Sequence, residues 1–483
     1  MEELFLYTFY VFLGLSASIT LPVQFLLQDD LSVQPSAFEM IFAVASSTWC
    51  VKFLIGFLVD RIGNTALNYK IIVSSMLLVN AGGWLFLSSW SPWTKELSSI
   101  ETVTVMLWVI FSSLCVCDVA TDGRMIRLVH DETGDRIGRT QTIVWGCRSL
   151  GRIIGGITTT VLLQREGSST GMFSPRGFID GFVVAPFACM AFLWIAVRAL
   201  PDPPKGFPRR SPRRSKRFGV IVREVWRVLT ENKRLVVVMV SIALVPDSGS
   251  NMYLYLSESL QHRGLGFGTH VLGVISIVHS AACIVGACCY HTCFKFIKLR
   301  TLFYGTIVIQ AILSLSQLVL LFGLYHKIGV SAKFFVLSDD VIGAIVEELL
   351  FLPLMILMAT MIPRGFESSV YSTLTSLSNV CSMFSSFISA GLTVMFGITR
   401  DASGVINFDN LWVMALTCTF TGLVPLLFFR WLPKRIKRSE VDVEEGIQLV
   451  SEFRADEPTN YIGGRYAQAL AQAQPQEMDS ASV

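Results

Sequence analysis

Charge is what this chain has least of. Only 16% of its 483 residues are Asp, Glu, Lys or Arg, while 52% are hydrophobic, and the mean hydropathy is +0.57. That is too few polar groups to clothe a water-soluble globule of this length, so the composition reads as a membrane protein. Other absences narrow the function. Without a phosphate-cradling Gly-x-x-x-x-Gly-Lys-Ser/Thr loop, ATP-driven pumping is unsupported. No nucleophile stands in a pattern with a His base, so an enzyme is not expected. The eleven cysteines show no zinc spacing flanked by His, and Cys283, Cys288, Cys289 and Cys293 fall in an apolar run as small packing residues. Neither a metal nor a cofactor is expected. No Asn-x-Ser/Thr sequon takes an outward-facing position. After Met1-Glu-Glu the chain enters an apolar run without a basic region or cleavage site, so that run is expected to stay as a mature helix.

What is present is length of apolar sequence. A spanning helix needs about 20 apolar residues, and twelve such segments recur at 4–27, 38–59, 69–90, 101–126, 140–163, 178–200, 235–258, 269–293, 301–325, 334–361, 367–397 and 410–432. Pro353 and several Ser, Thr and Gly residues interrupt the tenth and eleventh, which packed membrane helices tolerate. Basic residues set the orientation. Alternate loops near 60–70, 124–139, 201–234, 294–300, 362–366 and 430–438 hold 26 Lys or Arg, and the other loops hold about 7. Both termini are therefore expected in the cytoplasm.

The net charge of +3 thus reflects topology and gives no hint of nucleic acid. Its densest stretch, PDPPKGFPRRSPRRSKR from Pro201 to Arg217, separates six segments from six. It reads as a topology determinant lying against anionic lipid, or alternatively as a phosphorylation switch at Ser211 or Ser215. From about Ser439 the chain is too polar to form a core and reads as a disordered cytoplasmic tail. Within it, Glu445-Gly-Ile-Gln-Leu-Val450 loosely resembles an acidic dileucine sorting signal.

Against this background, intramembrane charges stand out, because each costs roughly 2.5–3.5 kcal/mol at a helix centre and must face a cavity or a partner. Asp118 and Asp122 lie one turn apart near the end of the fourth segment. Arg148 and Arg152 lie one turn apart in the fifth, at about the same depth when the two run antiparallel. The four are expected to meet across those helices, either as a functional cluster or as a structural staple. In the second half, Pro246-Asp-Ser-Gly-Ser250 interrupts the seventh segment and brings Asp247 near the midplane. Asp340 and Glu347 share a face of the tenth segment, with Glu348 beside them. Asp247 and Glu347 either line a cavity or pack as neutral, protonated groups able to carry a proton. Lys52 either snorkels, pairs or binds.

Two levels of resemblance follow. Gly56-Phe-Leu-Val-Asp-Arg-Ile-Gly63 resembles the G-x-x-x-D-R-x-G signature of the major facilitator superfamily. There Gly56 permits close helix approach, and Asp60, beside Arg61, can face a helix N-terminus and pair with a basic residue. Longer stretches resemble the folate-biopterin transporter family within it. They are Leu21-Pro-Val-Gln-Phe-Leu-Leu-Gln-Asp-Asp-Leu31; Trp49, Lys52, Gly56 and Asp60 at their spacing; Asp118-Val-Ala-Thr-Asp122 with Gln141-Thr-Ile-Val-Trp145 and Gly155-Gly156; and Met361 to Tyr371 leading to Leu377-Ser-Asn379, where Glu367 closes a Pro-x-Gly-x-Glu pattern. Phe53 and Arg127 depart from that family's pattern.

The resemblance implies an all-α membrane protein with twelve transmembrane helices in two six-helix bundles, the major facilitator fold. The bundles would be residues 1–200 and 235–437, joined by the basic linker 201–234 and followed by the tail 438–483. It further implies a secondary transporter that moves a folate or a pterin, with protons as a candidate coupling ion and the lipid bilayer as its setting. Asp118, Asp122, Arg148, Arg152, Asp247 and Glu347 are the candidate substrate-binding residues. Gly56, Asp60 and Arg61 are the gating candidates, and Lys52, Asp340 and Glu367 are further candidates for the cavity. Two alternatives stay open: a major facilitator carrier of another organic anion or metabolite, and a non-transporting membrane receptor or scaffold working through its tail.

Overall fold

The computed structural model describes residues 2–27, 35–62, 66–88, 100–130, 132, 138–162, 174–198, 218–257, 264–363, 365–399 and 406–432. The linker stretch 201–217, the tail, Asp29, Asp30, Gly63 and Arg364 lie outside the described residues. Helices dominate what is described. In chain order they are α1 (Glu2–Ser18), α2 (Thr20–Phe25), α3 (Pro35–Ser46), α4 (Lys52–Ile62), α5 (Ala66–Leu87), α6 (Ile100–His130), α7 (Arg139–Leu162), α8 (Pro175–Phe182) and α9 (Val184–Arg198). There follow α10 (Phe218–Glu231), α11 (Lys233–Ala243), α12 (Gly249–Ser257), α13 (Thr269–Thr292), α14 (Leu299–Leu321), α15 (Tyr325–Ile328), α16 (Ala332–Thr360), α17 (Glu367–Met395) and α18 (Leu411–Gly422).

Among the described residues, nine segments are long and apolar enough to cross a membrane. They match nine of the twelve apolar runs in the sequence, including α16, which continues through Pro353. The other three runs are helical but differ for identifiable reasons. The first breaks at Ile19, between α1 and α2. The fifth is the continuous α7, whose Arg139, Arg148 and Arg152 dilute its apolar character. The seventh is split into α11 and α12 across Leu244–Ser248, where Pro246 cannot donate a helical hydrogen bond.

A second interruption falls midway along the span Ile41–Ile62. A 3-10 turn, Ser47–Cys50, ends α3, and α4 begins at Lys52. Neighbours satisfy the backbone groups that this break frees: Asn379 Nδ2 donates to the Trp49 carbonyl (3.1 Å) and Phe53 N donates to Ser376 Oγ (3.0 Å). Side chains from α17 thus hold the broken turn that orients Lys52.

Lipid tails offer no hydrophobic drive to helix pairing, so close approach of small residues carries much of it. α1 packs along α7, α5 along α6, and α13 along α16. The sequence halves are joined chiefly by α7 with α13, α4 with α17 and α6 with α17. The α1–α7 crossing is reciprocal. A Cβ on Gly14 would sit 1.9 Å from the Arg148 carbonyl oxygen, and one on Gly151 would sit 2.0 Å from that of Val11. Gly14→Ala must therefore push α1 off α7. A fall in stability of about 1–3 kcal/mol, read as a lower unfolding midpoint of the purified protein, is the expected result.

Candidate functional site

Two buried carboxylates of α6 converge on one ammonium. Lys52, 4% exposed in its side chain, lies 3.3 Å from Asp118 Oδ2 and 3.5 Å from Asp122 Oδ2. Tyr10 from α1 donates its hydroxyl to Asp122 Oδ1 at 2.5 Å. The Lys52 ammonium also stands 5.3 Å from the centre of the Trp49 ring, where the ring's negative face favours a cation. Three helices therefore meet through one lysine, because α6 spaces its two carboxylates by a single turn and the broken turn before α4 points Lys52 at both.

This corrects one sequence expectation. Asp118 and Asp122 do not pair with Arg148 and Arg152; among the described residues neither arginine has a carboxylate within ion-pair distance. The aspartates and arginines instead line one cavity of about 380 Å³ together with Lys52, Glu347 and Glu348. Its size falls in the range of about 300–1,000 Å³ usual for small-molecule sites. Arg148 is held 5.0 Å from the Trp145 ring centre, and Trp145 meets Phe351 of α16 edge to face at 4.7 Å. Three atoms of cavity-lining residues, Trp145 Nε1, Arg148 Nε and Glu348 Oε1, are buried without a protein hydrogen-bond partner. Buried polar groups are ordinarily paired, so each calls for an explanation.

A second cavity of about 570 Å³ adjoins the first, sharing His279 and Glu347 with it. Asp247 and Asp340 line this second cavity and not the central one. Asp247 is exposed and accepts from Gly249 N at 2.7 Å, closing the break before α12. Asp340 Oδ1 lies 3.1 Å from His279 Nδ1. Glu347 faces both spaces. Among the described residues, no Lys or Arg lines the second cavity.

At one end of α4 the gating candidates meet α17. Gly56 has no room for a Cβ, which would lie 2.0 Å from Ser372 Oγ. Asp60 Oδ2 accepts from both the backbone N (2.7 Å) and the Oγ (2.6 Å) of Ser369, in the first turn of α17. A carboxylate thus faces a helix N-terminus, where the helix dipole favours it. Arg61 is exposed. Glu367 corrects a further expectation: it lines neither cavity, is 3% exposed, accepts from Gly365 N at 2.7 Å and lies 3.8 Å from Arg127 Nε. Arg127, a departure from the family pattern, therefore has a partner in that segment. His130 Nε2 donates to the Ile362 carbonyl (2.8 Å) and Gln141 Nε2 to that of Met355 (3.2 Å), adding contacts between the halves.

Sequence reasoning did not single out Tyr10, His279 or Ser369, and it named Trp145 only as part of a motif. His279, midway along the apolar run of α13 whose other histidines, His270 and His291, lie at its ends, is a recognisable pointer. Tyr10 and Ser369 give no such signal, since both residue types are common in membrane helices.

Comparison with solved structures defines the class. The proton:xylose symporter XylE bound to 6-bromo-6-deoxy-D-glucose matches with a TM-score of 0.61, covering 92% of this chain and 98% of that one at 12% identity. FucP in its outward conformation gives 0.55, covering 89% and 98% at 12% identity. The protein is an integral, multi-pass membrane protein with the fold of major facilitator superfamily transporters. Residues 14–449 match the BT1 family, and the chain belongs to that family. Similar curated proteins include the Folate-biopterin transporter of Synechocystis sp., 23% identical with 89% of this chain and 82% of that protein covered. Folate transporter 1 of Plasmodium falciparum is 21% identical, with 94% and 83% covered. Probable folate-biopterin transporter 2 of Arabidopsis thaliana is 24% identical, with 87% and 80% covered. The resemblance drawn from the sequence motifs is thereby borne out.

Proposed function

We propose that the protein is a secondary transporter that moves folates or pterins by alternating access. Two six-helix halves, residues 1–200 and 235–437, would rock about the central cavity, with both termini in the cytoplasm. The observation that carries this reading is the set of unpartnered donors and acceptors, Trp145 Nε1, Arg148 Nε and Glu348 Oε1, on a cavity lined by both halves of the chain. A polar ligand there would satisfy groups that the protein leaves open.

The chemistry of the named relatives' cargo fits those groups. A folate's glutamate carboxylates suit the guanidinium forks of Arg148 and Arg152. The amino-oxo edge of a pterin presents parallel donors that a carboxylate accepts in bidentate fashion. Asp118 and Asp122 already share Lys52, so Glu347 and Glu348 are the carboxylates most available for that edge, while the Lys52 cluster shapes the rest of the cavity. A proton is the coupling ion we favour, because Asp247, Asp339 and Asp340 line a cavity in which His279 is the one basic group among the described residues.

The test is uptake of labelled folate into a folate-requiring host. Expression of the wild type is expected to produce uptake that unlabelled pterin competes, and Asp122→Asn is expected to reduce it at equal surface expression. Uptake no greater than in host cells carrying an empty vector would sink the substrate assignment.

A further inference from the structure

The helix that precedes the second half of the chain, α10, is apolar on two adjacent faces, of which only one is buried. Along α10, Ile221, Val225 and Val228 are buried. Next to them, Phe218, Val222 and Trp226, spaced by one turn each, are 52%, 40% and 68% exposed. Arg223 flanks that second stripe, is exposed, and has no ion pair among the described residues. Arg227, by contrast, pairs with Glu224 and lies 4.0 Å from Glu231.

Position says what covers the exposed stripe. The Phe218 ring packs edge to face on Phe57 at 5.6 Å, and Phe57 belongs to the last turns of the span Ile41–Ile62. The other end of α10 is separated by Asn232 alone from α11, whose exposed Lys233 and Arg234 precede the apolar run Leu235–Ala243. Both ends of the helix are thus tied to the rim of apolar segments. Residues 205–217, directly before it, hold seven Lys or Arg and no Asp or Glu. An apolar stripe carrying a Trp, edged by arginine and preceded by a basic run, matches the requirements of an interfacial helix on an anionic leaflet.

α10 also packs on both α4 and α17, the two helices joined by the Gly56–Ser372 and Asp60–Ser369 contacts. We propose that α10 is an anionic-phospholipid binding element that staples the α4–α17 seam: its Phe218, Val222 and Trp226 stripe enters the headgroup–acyl boundary of that leaflet, anionic headgroups hold Arg223 beside it, and parting of the seam requires α10 to leave the lipid or one of its helices. Seam stability is then set by the leaflet's charge.

The experiment compares full-length protein in nanodiscs of phosphatidylcholine alone and of phosphatidylcholine mixed with phosphatidylglycerol, read by hydrogen exchange. Expected is slower exchange over residues 52–62 and 367–376 in the anionic discs, an effect that shrinks with added salt, while residues 299–321 of α14 stay unchanged. Val222→Asn with Trp226→Ser removes the lipid dependence but keeps the phosphatidylcholine baseline. Arg223→Gln, which leaves the buried stripe untouched, raises the phosphatidylglycerol content needed for half the effect about fivefold, the worth of one basic residue at an anionic surface. Equal exchange in both discs for the wild type overturns the proposal, as does a lipid effect that persists in both variants. Neither readout uses a transported solute, so this result is independent of the substrate assignment.

Discussion

Lys52→Met is expected to destabilise the purified protein by about 3–5 kcal/mol, the usual cost of removing one member of a buried ion pair. Methionine nearly matches the volume of the lysine stem, so packing changes little and the loss is electrostatic. It leaves the Asp118 and Asp122 side chains, only 6% and 9% exposed, one turn apart with no ammonium between them. The Tyr10 hydroxyl on Asp122 cannot compensate for two charges. Adding Asp118→Asn and Asp122→Asn to Lys52→Met should restore most of the stability, because a neutral triad of similar shape carries no stranded charge. Denaturant unfolding in detergent, compared across the single and triple variants, gives the answer. If Lys52→Met unfolds at the wild-type midpoint, the two aspartates are held neutral in the native protein and the lysine is not their counter-ion.

That cluster also marks where sequence stops being legible. Apolar length located the spans, since a bilayer fixes how many residues a helix needs, and helical rise gave the depth of Asp118 and Arg148 along their axes. Rotation about those axes is a different matter. It depends on which neighbour each helix packs against: Gly14 and Gly151 lock α7 to α1, and Arg148 and Arg152 line the cavity without reaching ion-pair distance of the α6 aspartates. Lys52 was visible as a residue that would pair, but its partners could be identified only once the turn Ser47–Cys50 had broken its span. Asp60 was legible in more detail because its motif implies a chemical environment, a helix N-terminus, which Ser369 of α17 supplies. Glu367 shared a motif with no such implication. Its role in holding Gly365 N depends on a turn whose geometry no local pattern announces.

The largest functional effect is expected from Arg148→Gln and Arg152→Gln, and it should depend on the cargo. On the proposed reading, these guanidinium groups meet the carboxylates of a folate's glutamate tail, while Glu347 and Glu348 meet the pterin edge. Losing a hydrogen bond to a charged group costs about 1.5–3 kcal/mol, so folate uptake should fall roughly 10- to 150-fold in kcat/KM. A pterin without the glutamate makes no contact with those guanidinium groups and should be carried about as well as before. Glu348→Gln should show the converse symptom, weakening folate and pterin uptake together, since both carry the same edge. Arg148 is the more informative of the two arginines, because Trp145 holds it 5.0 Å from its ring centre and its Nε has no protein partner. Its fork is therefore fixed before any ligand arrives, and little side-chain freedom remains to be lost on binding. Competition of labelled pterin by folate in Arg148→Gln cells separates the cases: a weakened competitor with intact pterin uptake supports the two-ended arrangement. Equal losses for both cargoes would instead make the arginines part of the moving scaffold, acting on every solute alike.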